Sequence, residues 1–182
     1  MMFKYFRDIA KKVLVTGGAG YLGGWLVRQL LEKGYFVRCL DNLSYGDKAI
    51  IDLLKNPNFE FVEGDICNIR DIAKALDGIP NVIALAAIVG DPACNLNEQE
   101  TYSINYQSTK VLSSLCEFYK TERLIFASSC SVYGASDNFT LNECSNLAPI
   151  SLYSRTRVMS EKILLENDKL SPTVLRFATL YG

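Results

Sequence analysis

Residues 13–24 read Val-Leu-Val-Thr-Gly-Gly-Ala-Gly-Tyr-Leu-Gly-Gly, and this stretch decides the fold of the chain. Three β-favouring apolar residues lead into the spacing Gly17-x-x-Gly20-x-x-Gly23, and an amphipathic run over 21–33 follows. A short apolar run that ends in glycines is typical of a strand, and the run after it has the periodicity of a helix. The stretch therefore predicts a strand, a tight turn and the start of a helix.

The spacing of the three glycines is typical of a dinucleotide site. Gly17 can take the positive φ that a sharp strand-to-helix turn needs, and Gly20 has no side chain to keep a pyrophosphate from the backbone. Gly23 allows the helix to lie close to the strand, so that its free N-terminal amides face the phosphates. The position of these glycines, between a strand and a helix, predicts a phosphate-binding turn.

A second predicted strand, 36–40, ends in Asp41, about 20 residues after the glycines. A carboxylate there accepts hydrogen bonds from ribose hydroxyls and repels a 2′-phosphate. The next residues, Asn42, Leu43 and Ser44, supply no arginine that would hold such a phosphate. The pattern favours NAD over NADP, and the alternative is that Asp41 only caps or solvates a loop.

Further apolar runs continue the alternation of strands and helices. Strands are predicted at 59–62, 81–87, 123–127 and 173–178, and helices at 48–55, 69–76, 98–120 and 152–167. Such alternation indicates an α/β fold with a doubly wound parallel sheet of the Rossmann type. We expect a short N-terminal arm at 1–11 and one nucleotide-binding domain over 12–182.

Two features near predicted strand ends also fit a cofactor site. Asp65 follows the third strand, at the sheet edge where open α/β sheets bind ligands. Its carboxylate either accepts the adenine amino group or starts the next helix, and the sequence leaves both open. The small side chains of Ala86 and Ala87, at the end of the fourth strand, allow a cofactor to approach.

The composition excludes several classes of partner. Of 182 residues, 19 are Lys or Arg and 20 are Asp or Glu, without a block of like charge. This balance predicts neither a nucleic-acid nor a membrane partner, and the absence of a long apolar run favours a cytoplasmic protein. The six cysteines form no C-x-x-C pair and the chain has no histidine, so we expect reduced thiols and no metal site.

Several motifs together resemble one family over nearly the whole chain. They are Thr16-Gly17-Gly18-Ala19-Gly20-Tyr21-Leu22-Gly23, Asp41-Asn42-Leu43, Gly64-Asp65-Ile66, Leu85-Ala86-Ala87, Asn105, Ser128-Ser129-Cys130-Ser131-Val132-Tyr133-Gly134, Tyr153, Leu175-Arg176-Phe177 and Tyr181-Gly182. The chain resembles the extended short-chain dehydrogenase/reductases, in particular the NAD-dependent epimerase/dehydratase branch that acts on nucleotide sugars.

The resemblance implies a catalytic set. The family uses a Tyr-x-x-x-Lys pair on a helix and a Ser or Thr at the end of the preceding strand. By position, Ser129 is the hydroxyl that orients the substrate oxygen and Tyr153 is the acid/base. The lysine position holds Arg157, which supplies charge but is bulkier and stays protonated, so its ribose contacts and any proton relay depart from the family pattern.

The resemblance also implies the cofactor contacts. With the positions derived above, the residues expected to hold NAD are Gly17, Gly20, Tyr21, Leu22, Gly23, Asp41, Asn42, Ser44, Asp65, Ile66, Leu85, Ala86, Ala87, Asn105, Tyr153 and Arg157.

The implied activity is that of an NAD-dependent nucleotide-sugar epimerase. Dehydratases of the family usually carry Asp-Glu after the Ser or Thr, and here Cys130 and Ser131 follow, so epimerase or dehydrogenase is favoured over dehydratase. The alternative is an NAD-binding domain with little or no turnover. Family members continue into a C-terminal substrate lobe, which we expect to be missing or truncated here. The apolar stripes of the helices at 98–120 and 152–167 allow a homodimer.

Overall fold

The computed structural model describes residues 11–135 and 140–181. The predicted arm at 1–11, except for its last residue, lies outside the described residues, as does residue 182. Within the described part the chain forms a six-stranded parallel sheet in the order β3-β2-β1-β4-β5-β6. The strands are β1 Lys12–Thr16, β2 Phe36–Asp41, β3 Phe59–Glu63, β4 Asn81–Ala84, β5 Arg123–Ser129 and β6 Pro172–Phe177.

Helices connect most successive strands and cover the sheet, while a 3₁₀ turn lies between β2 and β3. The helices are α1 Tyr21–Glu32, α2 Ile69–Leu76, α3 Asp91–Leu96, α4 Glu98–Tyr102, α5 Ser108–Phe118 and α6 Leu152–Leu165. Short 3₁₀ turns form at Ile51–Leu53 and Cys130–Tyr133, and a π turn forms at Ser103–Gln107. The predicted doubly wound parallel sheet is confirmed.

The side chains of β1 separate two apolar cores on opposite faces of the sheet. Leu14 packs in the larger core, with Ile72, Leu112 and Leu124. Val13 and Val15 pack in a second core. The other buried residues of this second core are Ala19, Val27, Val37, Cys39, Ile50 and Phe59. Because successive strand residues point to opposite faces, burial on both sides identifies β1 as a central strand, with β2 and β4 paired to it.

The predicted continuous helix over 98–120 is wrong in one respect, because a π turn separates α4 from α5. The amide of Ser108 donates to the carbonyl of Ser103, a spacing of five residues. The carbonyl of Asn105 accepts the hydroxyls of Thr109 (3.3 Å) and Ser160 (2.8 Å). Hydroxyls that compete for a helical carbonyl loosen the regular ladder.

Smaller differences concern the ends of elements. The predicted helix at 48–55 is only the 3₁₀ turn Ile51–Leu53, and the helix predicted at 152–167 ends at Leu165. Strand β4 ends at Ala84, three residues earlier than predicted, after which Leu85 and Ala86 turn towards the glycine loop. The amide of Leu85 still donates to the carbonyl of Thr16 (3.1 Å). Leu85 therefore lies against β1, although it belongs to a loop and not to the strand.

Candidate functional site

The turn between β1 and α1 is shaped by two glycines. Gly17 has φ +73°, and a Cβ built on it would lie 2.7 Å from the amide nitrogen of Ala86. A Cβ on Gly23 would collide with the carbonyl oxygen of Gly17 and the backbone of Gly18. The turn therefore needs glycine at both positions, for the backbone conformation at one and for close packing at both.

The N-terminus of α1 opens from this turn. Gly20 is the N-cap residue, and as a glycine it has no side chain with which to cap the amides in the first turn of the helix. These amides and the partial positive charge of a 12-residue helix together make a site suited to an anion. Tyr21 and Leu22 begin the helix, so the predicted phosphate contacts lie at one helix end.

Asp41 ties the end of β2 to the glycine turn. One carboxylate oxygen accepts the amide of Ala19 (3.0 Å), and the other accepts the amide of Leu43 (2.9 Å). The side chain of Asn42 accepts the amide (3.1 Å) and the hydroxyl (2.7 Å) of Ser44. Each carboxylate oxygen can accept more than one hydrogen bond, so Asp41 shapes the loop and retains capacity for ribose hydroxyls.

The side chain of Asp65 is occupied within its own turn, where one carboxylate oxygen accepts the amide of Cys67 (2.8 Å). The alternative that Asp65 starts the next helix is wrong, because Asn68 is the N-cap residue of α2 and accepts the amide of Arg70. Ile66 packs against the larger core. Asp65 also lines a cavity of about 500 Å³, whose other lining residues are Cys67, Asn97, Gln99, Glu100, Ser103 and Ile104.

The loop after β4 is fixed by Asn105, which is almost fully buried. Its side-chain oxygen accepts the amide of Ile88 (2.8 Å) and its nitrogen donates to the carbonyl of Ile88 (2.9 Å). The amide group thus holds the loop that contains Ala86 and Ala87. A direct contact of Asn105 with a cofactor remains a prediction.

The three candidate catalytic residues come from β5 and α6. Ser129 ends β5, and its hydroxyl oxygen accepts the amide of Ser131 (3.2 Å). Tyr153 lies in the first turn of α6, which begins with a capping box formed by Ser151 and Ser154. β5 and α6 thus supply the predicted hydroxyl and the predicted acid/base, whose roles remain predictions.

Arg157 lies one helical turn after Tyr153 and is only 2% exposed. Its guanidinium carbon is 5.3 Å from the centre of the Tyr153 ring and 5.3 Å from that of Phe126. One terminal nitrogen donates to the carbonyl of Ala127 (3.2 Å), while Nε and the other terminal nitrogen are buried and have no hydrogen-bond partner among the described residues. Burial lowers the pKa of Arg157, although a guanidinium remains charged at neutral pH.

A buried ion pair lies one turn further along α6, and its role was not predicted. Glu161 accepts the hydroxyl of Ser128 and both Nε and a terminal nitrogen of Arg176. Arg176 also donates to the hydroxyl of Tyr133 (3.0 Å). Hydrogen bonding to Glu161 raises the pKa of Arg176. The spacing of Tyr153, Arg157 and Glu161 by four residues was the available signal, because it places the three on one helix face.

The sequence predicts neither a membrane partner nor a metal site, and two observations on the described residues concern these predictions. No helix among them has the length and apolar character needed to cross a bilayer. Over the same residues, no three His, Cys, Asp or Glu side chains are grouped as metal ligands would be.

A doubly wound parallel sheet, with a glycine turn between its first strand and first helix, defines a dinucleotide-binding domain of the Rossmann type. The NAD dependent epimerase/dehydratase family matches residues 13–182, and the chain belongs to this family. The predicted family is therefore confirmed, and the predicted cofactor agrees with the NAD dependence of the family.

Individual relatives cover both sugar and sterol chemistry. Mouse sterol-4-alpha-carboxylate 3-dehydrogenase, decarboxylating, is 34% identical over 87% of this chain and 42% of that protein. UDP-glucose 4-epimerase of Lactobacillus helveticus is 32% identical over 94% of this chain and 52% of that protein. The crystal structure of UDP-glucuronic acid 4-epimerase from Bacillus cereus, in complex with UDP-glucuronic acid and NAD, aligns with a TM-score of 0.87 and 31% identity. That alignment covers 94% of this chain and 57% of the other. The chain spans about half the length of the relatives it matches.

Proposed function

We propose that this chain is the NAD-binding half of a nucleotide-sugar epimerase, and that it oxidises a secondary hydroxyl of the sugar as the first step. The observation that carries the proposal is the pairing of Tyr153 with the buried guanidinium of Arg157, on the helix that follows the Ser129 strand. An ionised phenol removes a proton from an alcohol, and a fixed cation beside the phenol favours its ionised form. A hydroxyl at the neighbouring strand end orients the alcohol.

The glycine turn and Asp41 fit the cofactor. The absence of a side chain at Gly17 and Gly20 leaves the backbone open to a pyrophosphate, and the first amides of α1 supply hydrogen-bond donors for it. Asp41 accepts the ribose hydroxyls, as argued from its place at the end of β2. NAD supplies the acceptor for the hydride that leaves the sugar carbon.

The remaining residues handle the proton of the sugar hydroxyl. Tyr153 accepts this proton as the hydride leaves, and the charge of Arg157 stabilises the negative charge on the phenol oxygen before the transfer. Ser129 accepts a hydrogen bond from the amide of Ser131, so its own proton is free to bind the substrate oxygen. Return of the hydride to the opposite face of the resulting ketone inverts the carbon and gives the epimer.

A specific observation favours a second candidate, an NAD-binding domain with little or no turnover. Arg157 occupies the position of the family's lysine, yet its nitrogens are buried, and the one bonded nitrogen donates to the carbonyl of Ala127. A lysine at this position would hold the nicotinamide ribose by its compact ammonium, which a packed guanidinium does not reproduce.

Calorimetric titration of this 182-residue chain with NAD and with NADP tests the cofactor half of the proposal. We expect binding of NAD and much weaker binding of NADP. UDP-glucose and UDP-glucuronic acid are then incubated with the NAD-loaded chain, and the sugars are separated chromatographically to detect an epimer. Tyr153→Phe serves as the control, since it removes only the phenol hydroxyl.

The outcomes separate the two candidates. Epimer formation that disappears in Tyr153→Phe supports the enzyme. NAD binding without any change in either sugar nucleotide supports the binding domain. If the chain binds no NAD even at a large excess of NAD over protein, both the enzyme and the binding domain are wrong.

A homodimer through α5 and α6 is part of the same proposal. Phe118 and Leu165, at the ends of these helices, are exposed, whereas Leu112 and Leu164 are buried in the core of the subunit. Part of each predicted apolar stripe is thus used within one chain. Light scattering of the purified chain distinguishes a dimer from a monomer.

A further inference from the structure

Glu161 is the centre of a buried polar cluster that the proposed chemistry does not use. The residue is 2% exposed and carries an acidic group into a largely apolar interior. It accepts the hydroxyl of Ser128 and a two-pronged contact from Arg176, with nitrogen-to-oxygen distances of 2.7 and 3.1 Å to one carboxylate oxygen. Such a group is tolerated only because its hydrogen-bonding capacity is filled.

The cluster joins every element that carries a candidate catalytic residue. Ser128 and Arg176 are register partners in the β5–β6 pair, and both reach the same carboxylate on α6. Arg176 extends the cluster to the 3₁₀ turn after β5, where it donates to the hydroxyl of Tyr133 and lies 5.0 Å from the centre of that ring. The end of β5, the turn and α6 are therefore held at one point.

The helix transmits this anchoring to the candidate acid/base. Tyr153, Arg157 and Glu161 follow one another at intervals of four residues, which places them on one face of α6. Eight residues of helix span about 12 Å, so the contacts of Glu161 anchor the helix about 12 Å along its axis from Tyr153. On the strand side, Ser128 is the immediate neighbour of Ser129.

A purely structural role does not account for the choice of charged residues. Buried ion pairs often contribute no more to stability than apolar residues of the same size, because desolvation offsets their attraction. What such a pair provides is a fixed direction, since a bidentate guanidinium and carboxylate tolerate little displacement. Fixed direction matters where a strand end and a helix must meet at catalytic distance.

We propose that Glu161 and Arg176 are positioning residues, which hold Tyr153 against Ser129 and fix the turn after Ser129 through the hydroxyl of Tyr133. The proposal rests on the proposed function, because it assigns these residues to the same proton transfer.

The test uses four variants of the full chain. Glu161→Gln removes the charge, and Tyr133→Phe removes one hydroxyl with little risk to folding. The double variant Glu161→Leu with Arg176→Met replaces the pair by apolar side chains. Glu117→Gln is the matched control, because Glu117 pairs with Lys169 at an exposed site.

Epimerisation of a UDP-sugar and binding of NAD are measured for each variant, together with thermal stability. We expect Glu161→Gln to lower kcat about 100-fold and Tyr133→Phe about tenfold, with KM and the Kd for NAD changed less than about threefold. The double variant is expected to recover the melting temperature but not kcat. Recovery of both would show that the pair acts only on stability, and would overturn the proposal.

Amide hydrogen exchange over 129–134 gives a readout that does not need turnover. In this segment the amide of Ser131 donates to Ser129, and the amide of Gly134 donates to the carbonyl of Ser131. We expect exchange there to become about tenfold faster in Glu161→Gln and in Tyr133→Phe, but not in Glu117→Gln. Unchanged exchange in both variants, in folded protein, would contradict the proposal.

The two proposals fail differently. If the wild-type chain binds no NAD or transfers no hydride, the proposed function fails, whatever the exchange data show. If the wild-type chain turns over and Glu161→Gln keeps its kcat, the proposed function stands and the positioning role is wrong.

Discussion

Replacement of Arg157 by lysine tests how the cation beside Tyr153 acts. In the structure the guanidinium carbon lies over the phenol ring, 5.3 Å from its centre. An ammonium on a flexible stem can move to within about 4 Å of the phenol oxygen, as in an ordinary charge-assisted contact. We expect the substitution to bring the charge closer to the phenol oxygen, which gains negative charge in the reaction.

The size of the effect follows from Coulomb's law. With an effective dielectric constant of about 20, a unit charge contributes about 3 kcal/mol at 5.3 Å, the distance to the ring centre, and about 4 kcal/mol at 4 Å from the phenol oxygen. The difference of about 1 kcal/mol corresponds to about a fivefold faster proton transfer. We expect Arg157→Lys to raise the rate of hydride transfer by about this factor.

The effect on stability is expected to be small. Arg157 loses one long hydrogen bond to the carbonyl of Ala127 and two ring contacts, together worth about 1–3 kcal/mol. The substitution also removes two buried nitrogens that have no hydrogen-bond partner in the part of the chain that the structure describes, each of which costs about 1–3 kcal/mol. The two contributions oppose each other, so the substitution should not lower the free energy of unfolding by more than about 1 kcal/mol.

Single-turnover kinetics provide the measurement. NAD-loaded wild type and Arg157→Lys are mixed with a UDP-sugar, and the absorbance of the reduced nicotinamide is followed. Arg155→Lys is the control, since Arg155 is exposed on the same helix. If Arg157→Lys binds NAD as tightly as the wild type but transfers hydride no faster, the electrostatic reasoning is wrong.

Three further predictions concern the cofactor turn and the thiols. Gly17→Ala should lower NAD affinity more than tenfold, whereas Gly78→Ala, at a similar positive φ but with open space around its Cβ, should only lower stability by about 1 kcal/mol; calorimetry and thermal unfolding measure both, and equal losses would refute the steric argument. Asp41→Asn should weaken NAD binding about tenfold and reduce the preference over NADP, because one oxygen that accepts a backbone amide becomes a donor; an unchanged NAD-to-NADP ratio would mean that the carboxylate does not face the ribose. Cys67 and Cys144 are both exposed, but partial desolvation and the charge of Asp65 raise the pKa of Cys67 from 9.0 to about 11, so near pH 8 its thiolate fraction is about 100-fold below that of an ordinary thiol. Site-resolved mass spectrometry should then show that a thiol reagent modifies the exposed Cys144 first and Cys67 only as the pH rises; equal rates at both sites would contradict this.

The sequence predicts the first half of the sheet well because its signals are local. The glycine spacing, the apolar run of β1 and the acid at the end of β2 each depend on a few neighbouring residues. The structure adds that Gly17 packs on the backbone of Ala86 and that Asp41 binds the amide of Ala19. Such contacts join segments far apart in the chain, so the pattern indicates the residues but not their partners.

The π turn at Ser103–Gln107 illustrates a different limit. Its wider spacing leaves the apolar periodicity of 98–120 almost unchanged, so the run predicts one continuous helix. Two hydroxyls compete for the carbonyl of Asn105, that of Thr109 within the run and that of Ser160 from α6. The contact from Ser160 is not contained in the sequence of the helix itself.

The cluster around Glu161 cannot be predicted from the sequence for the same reason, and it affects the structure more than the π turn does. Its existence depends on the strand order that places β6 beside β5, and on the register that sets Arg176 opposite Ser128. A one-residue slip of β6 would turn the side chain of Arg176 to the other face of the sheet and leave Glu161 buried without its cation, at a cost of several kcal/mol. The pair therefore specifies the register of the edge strand. Burial lowers the pKa of Arg157, and the carboxylate of Glu161, one helical turn away, opposes this by favouring the charged form of the guanidinium. One acidic residue thus sets the position of the edge strand and supports the cation on which the proposed proton transfer depends.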